Sequence, residues 1–167
     1  MKSGVKNAAQ WFGVFVGVWI VFHFVFPIAV VDGPSMEPTL KSGDFVLCSA
    51  LDRSCQRGDV VVFRNEKTKE VPYAVLIKRV AAIPGDVIEM DAETGVIFVN
   101  GEPAVNQERA ALPALETISF PATVPEGQLF VLGDNPAQSM DSRYKALGFI
   151  PMQNIMSVVK YPSLKIR

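Results

Sequence analysis

From Trp11 to Val31 the chain carries no formal charge, and beyond it the apolar positions change to period-two alternation in short runs broken by Gly, Pro, Asp and Asn. The first pattern predicts a helix and the second a set of strands. As a helix rising about 1.5 Å per residue, the uncharged run is about 30 Å long, enough to cross a bilayer. A cleavable leader has a shorter apolar region, roughly 7–15 residues, closed by a small-x-small site. Ala29 and Val31 fit that poorly, so residues 11–31 are expected to remain as one transmembrane anchor. Lys2 and Lys6 precede it and Asp32 follows it. The positive-inside rule then puts residues 1–10 in the cytoplasm and residues 32–167 outside, on a single-pass protein of the cell membrane. Pro27 is expected to kink or end the helix. His23 lies within the run; without an acidic partner there, a neutral imidazole fits better than a proton relay.

The remainder reads as a mostly β domain. Gly-Asp followed by apolar residues recurs at Gly43-Asp44, Gly58-Asp59 and Gly85-Asp86, each a turn feeding a strand. Val96-Ile97-Phe98-Val99 followed by Asn100-Gly101 predicts a two-residue hairpin, because both turn positions favour positive φ. Residues 91–125 hold more Pro, Ala and Glu and fewer long apolar runs, and are expected to form a small inserted lobe. Helix signals beyond the anchor are weak, with a short turn expected near Asp141 to Leu147.

Composition narrows the function. The chain has 167 residues, 49% of them apolar and 20% charged, with a net charge of −1. That suits one compact domain beyond the anchor, and the scattered cations form no basic stripe for nucleic acid. Cys48 and Cys55, the only cysteines, are candidates for a disulfide in an oxidising compartment. Two cysteines without a nearby histidine make no zinc site, and neither a metal nor a cofactor is expected.

Ser35 lies just past the apolar run, in Gly33-Pro34-Ser35-Met36-Glu37-Pro38-Thr39. Taken alone, a serine between prolines is a turn residue, but Pro34 and Pro38 stiffen the segment and so present the hydroxyl. Gly33 allows a second backbone to approach, and Gly33, Pro34 and Met36 are candidates to line a substrate pocket. The only histidine is in the apolar run and cannot serve Ser35 as a base. By elimination the candidate base is Lys78, which strand alternation groups with Leu76 and Val80, apolar neighbours able to desolvate an ammonium. A lysine snorkelling from a sheet edge is the alternative. The third cluster, Gly133 to Tyr144, is dense in carboxylates and hydroxyls. Asp134 or Asp141 could pair with Arg143, and Ser139 or Ser142 could orient a lysine amine; a solvated turn would hold the same residues.

In order, these stretches resemble the bacterial type I signal peptidases, membrane-bound serine proteases with a Ser/Lys dyad. The resemblance is carried by Ser35-Met36-Glu37-Pro38-Thr39, Arg57-Gly58-Asp59-Val60-Val61-Val62-Phe63, Lys78-Arg79-Val80 with Pro84-Gly85-Asp86, and Gly133-Asp134-Asn135 with Ser139 and Asp141-Ser142-Arg143. It implies Ser35 as nucleophile, Lys78 as general base, Ser139 as the residue orienting the lysine, and Asp134, Asp141 and Arg143 as supports of the site. It also implies coiled antiparallel β-sheets with a lobe inserted before the last motif. The implied activity is removal of signal peptides with small residues at −1 and −3 from preproteins, at the bilayer and near the secretion translocon. Where some members carry an oxyanion-hole serine this chain has Gly33, which leaves more to the Ser35 N–H. Pro136 is a second departure. A relative specialised for pilin or conjugative-transfer proteins, and an inactive anchored β-module that binds peptides, are the competing readings.

Overall fold

The computed structural model describes residues 2–51, 54–65, 71–104 and 116–162. In chain order the elements are α1 (Lys2–Val25), β1 (Ile28–Val30), β2 (Phe45–Ser49), β3 (Val60–Arg64), β4 (Val75–Ala82), β5 (Val87–Met90), β6 (Ile97–Val99), β7 (Glu102–Pro103), β8 (Ala122–Thr123), β9 (Gln128–Leu132), β10 (Ile150–Pro151) and β11 (Ile155–Tyr161). Antiparallel pairing joins them into a seven-stranded sheet, β1-β2-β11-β3-β4-β9-β10, and a four-stranded sheet, β7-β6-β5-β8. The only helical turns among the described residues outside α1 are short 3₁₀ turns at Pro136–Gln138 and Met152–Asn154.

The strand β3 lies at the middle of the large sheet and is covered on both faces, which accounts for four consecutive apolar residues. Val61 and Phe63 pack on one face with Val80, Leu129, Val131, Ile155 and Val158. Val60 and Val62 pack on the other with Val31, Met36, Leu40 and Val46. Burying each such side chain contributes roughly 1.5–3 kcal/mol. Along β4 the register shifts between Val80 and Ala82. That irregularity moves Ala82 into a third cluster with Ile88, Ile97, Phe130 and Leu132, the seam between the two sheets.

The Gly-Asp pairs immediately precede β2, β3 and β5. Asn100 and Gly101 both have positive φ, 53° and 84°, and close the β6–β7 hairpin that the sequence predicts. The smaller sheet takes in much of the segment 91–125 but begins earlier, at Val87, and residues 105–115 lie outside the described ones. One carboxylate helps tie it to the large sheet: Asp86 accepts from Arg57 Nε at 2.7 Å, from Asn100 Nδ2 at 3.1 Å and from the Ile83 N–H at 2.9 Å.

The expected disulfide is not formed. Cys48 and Cys55 are buried as thiols, Cys48 with Val60 and Val62 and Cys55 with Val61 and Phe63. Neighbouring residues of a strand face opposite ways, so the sheet itself stands between the two sulfurs.

The helix α1 stops at Val25, and Ile28–Val30, the end of the uncharged run, pairs with β2 instead. Pro27 marks the change. Its carbonyl accepts from the Cys48 N–H and that of Val25 from the Ala50 N–H, both in line with the β1–β2 ladder. Trp11, Phe12, Phe15, Trp19, Phe22 and Phe24 of α1 are exposed. The side chains of Val21 and His23 lie outside the described residues, and among those described no helix is long and apolar enough to cross a membrane. The registers Ile28↔Leu47, Val30↔Phe45 and Tyr161↔Leu47 align Ile28, Val30, Phe45 and Tyr161, all exposed, on one face of the β1 end of the sheet.

Candidate active site

Ser35 stands in the turns between β1 and β2. The Glu37 N–H donates to Pro34 O at 3.0 Å and the Leu40 N–H to Met36 O at 2.8 Å. Met36 and Leu40 are fully buried beside Val31 and Val46, so the turn is pinned just after Ser35, which is left half-buried at its crest. Met36 therefore belongs to the core and does not line the cleft, contrary to the pocket role expected of it. Gly33 and Pro34 do line it.

Lys78 comes from β4, where Leu76 and Val80 on either side of it in the alternation pack against apolar core. It is only 2% exposed. Its Nζ is 2.7 Å from Ser35 Oγ and donates to Ile77 O at 3.0 Å. Burial lowers the lysine pKa from the usual 10.5 to about 8, against the opposing fields of Asp141 and Asp134, which favour the charged form. The sheet-edge alternative for this lysine is thereby excluded.

Both carboxylates are held by arginines in fork geometry. Arg143 donates through Nε and Nη2 to Asp141 at 2.8 and 2.7 Å, and Arg79 donates through Nε and Nη2 to Asp134 at 2.8 and 2.6 Å. All four side chains are buried. The sequence left Asp134 and Asp141 as rivals for Arg143; Asp134 instead pairs with the residue next to Lys78. The two guanidinium groups offset the acids' fields and so weaken their pull toward the charged form of Lys78. Asp141 also accepts from the Gly133 N–H at 3.1 Å, and the Ser142 hydroxyl accepts from the Val131 N–H, which occupies it away from the lysine.

Ser139, implied by the resemblance to orient Lys78, makes no hydrogen bond to it. Its Oγ is buried without a partner. The hydroxyl is packed against the α-carbon of Gly133: a Cβ there would lie 2.2 Å from Ser139 Oγ and 2.5 Å from Ser35 O. The second contact of the Lys78 amine is the Ile77 carbonyl instead. At Gly133 the last motif and the serine turn thus meet with no room for a side chain.

Sequence reasoning did not single out Asn135. Its N–H donates to Ser35 O at 3.1 Å and its Nδ2 to Pro34 O at 3.2 Å, and an invitation to look existed only in its place after Asp134. Beside the Ser35–Lys78 pair opens a cleft of about 350 Å³. Its lining combines polar Asp32, Gln138 and Lys78 with apolar Val30, Val62 and Val75.

Comparison with known proteins places the chain in a family. A family model described as signal peptidase, peptidase S26, matches residues 5–164. Signal peptidase I of Bacillus licheniformis is 34% identical over 153 residues, covering 85% of this chain and 78% of that protein. The Bacillus caldolyticus signal peptidase I is 33% identical over 178 residues, covering 96% and 92%. A crystal structure of a signal peptidase I from Enterococcus faecalis V583 shares 28% identity at a TM-score of 0.46, covering 63% of this chain and 96% of that one. On the extent of the family match and the likeness of these relatives, the chain belongs to the signal peptidases, family S26, and is a peptidase of that kind.

Proposed function

We propose that the chain is a membrane-anchored serine endopeptidase in which Ser35 attacks the peptide bond and Lys78 is the general base. The observation that carries this reading is the 2.7 Å contact between Ser35 Oγ and a buried lysine amine whose pKa is about 8. At pH 7 a lysine of pKa 8 is neutral in about one molecule in ten, against about one in three thousand at 10.5. Burial alone therefore raises the supply of base several-hundredfold. Neutral Lys78 takes the Ser35 proton as Oγ adds to the carbonyl carbon, and the oxyanion forms beside the Ser35 N–H. The lysine then protonates the departing amine, which leaves as the mature protein. Water, deprotonated by the same amine, hydrolyses the acyl-enzyme and frees the signal peptide.

Substrates are preproteins bearing signal peptides, in keeping with the family. The apolar lining of the cleft suits small residues at −1 and −3. Two features support a bilayer location: the exposed aromatic residues of α1 and the exposed row Ile28, Val30, Phe45 and Tyr161 that follows it. With Lys2 and Lys6 cytoplasmic, the catalytic domain stands on the outer face, near the exit of the translocon.

The test is cleavage of a membrane preprotein in detergent by the parent, S35A and K78A. Both variants are expected to lose at least about a thousandfold in kcat/KM, the parent's kcat rising with pH through a limb near 8. Substantial cleavage by either variant, or a limb near 10.5, sinks the dyad.

A further inference from the structure

Asn135 grips two consecutive carbonyls of the serine turn, Pro34 O through its side chain at 3.2 Å and Ser35 O through its main chain at 3.1 Å. The Pro34 carbonyl and the Ser35 N–H are opposite ends of one planar peptide unit. A donor that fixes the carbonyl therefore also aims the N–H, and by polarising the amide it makes that N–H a better donor. Pro34 O accepts from the Glu37 N–H as well, at 3.0 Å, so the unit is held from two directions. Among the described residues nothing accepts from the Ser35 N–H, and Gly33 offers no side-chain donor beside it.

We propose that Asn135 is a positioning residue for the acylation step: its side-chain amide orients and polarises the Pro34–Ser35 peptide so that the Ser35 N–H meets the developing oxyanion. The inference rests on the reading of Ser35 as nucleophile. The same loop reaches the base as well, because Asp134, next to Asn135, pairs with Arg79, next to Lys78. Asn135 thus ties the peptide unit that bears the oxyanion donor to the strand that bears the base.

The experiment compares full-length parent, N135A, N135D and S35A in detergent on one preprotein, with active sites counted by a serine-directed acylating probe. N135D keeps the shape but removes the donor, so it reports on donation even where N135A folds poorly. Per titrated site, both Asn135 variants are expected to lose about tenfold or more in kcat with KM within about twofold, a fraction of what a lost oxyanion donor costs. The rising limb of kcat is expected to stay near pH 8 in N135A, which changes no charge near Lys78. Parent-like kcat in N135D, a loss confined to KM, or a displaced limb in N135A overturns the proposal. An active S35A overturns the nucleophile reading beneath it, whereas an inactive S35A beside parent-like Asn135 variants overturns the role of Asn135 alone.

Discussion

The proposed nucleophile and the proposed base are held by opposite kinds of structure. Lys78 lies in an eight-residue strand flanked by ladders to β3 and β9, with two buried ion pairs beside it. Ser35 lies in a turn without ladder partners, held by short-range bonds, by Asn135 and by the burial of Met36 and Leu40. The base needs a dry, electrically balanced site, which only the core supplies. The nucleophile needs access to substrate and an accurate direction, which a few hydrogen bonds can supply. Damage on the two sides should therefore differ in kind.

The largest separation is expected from Lys78→Met. The base is lost and so is activity, yet the folded protein gains stability at neutral pH, because a buried lysine whose pKa is depressed to about 8 disfavours folding. The unfolded lysine binds its proton up to about pH 10.5, so the parent's penalty is fully present below pH 8 and relieved as pH rises from 8 to 10.5. At about 1.4 kcal/mol per unit the penalty is at most about 3.5 kcal/mol. Urea unfolding at pH 7 and pH 10 measures it, and a variant less stable than the parent at pH 7 contradicts the account. Next comes Gly133→Ala, whose methyl would force apart Ser139 and the Ser35 carbonyl. A displacement of that order is expected to lower kcat by about a hundredfold, with a smaller effect on the melting temperature. Turnover within a few-fold of the parent would show that the turn yields where the strand does not. The smallest effect is expected from Ser42→Ala. Ser42 Oγ accepts from the Gly33 N–H at 3.3 Å in an exposed setting, and its loss is expected to change kcat/KM by less than about threefold. A larger loss would mean the outer tether, not Asn135, directs the turn.

Part of this site was legible from residue choice and part from resemblance. With His23 confined to the apolar run, elimination pointed to Lys78 only weakly, the ordered motifs pointed to it more firmly, and alternation placed it between two core residues. Local turn chemistry was equally readable, as the Asn100-Gly101 hairpin shows. What could not be read depends on which strands lie side by side. Asp134 finds Arg79 and Asn135 finds Pro34 because β9 lies beside β4, and the turn folds over their ends. Period two says which face a residue takes, not which strand it faces. The same blindness made Met36 look like a pocket residue and set Cys48 and Cys55 together when a sheet parts them.

The passage from α1 to β1 has no slack. Val25 and Pro27 are bonded to the end of β2 before β1 has begun, so the helix is spliced to the sheet and not tethered to it. Ser35 follows Val25 by only ten positions, a span of at most about 35 Å even if fully extended. Under the anchoring proposed above, this makes a built-in gauge: the level at which α1 is seated would determine the height at which the serine meets an emerging chain.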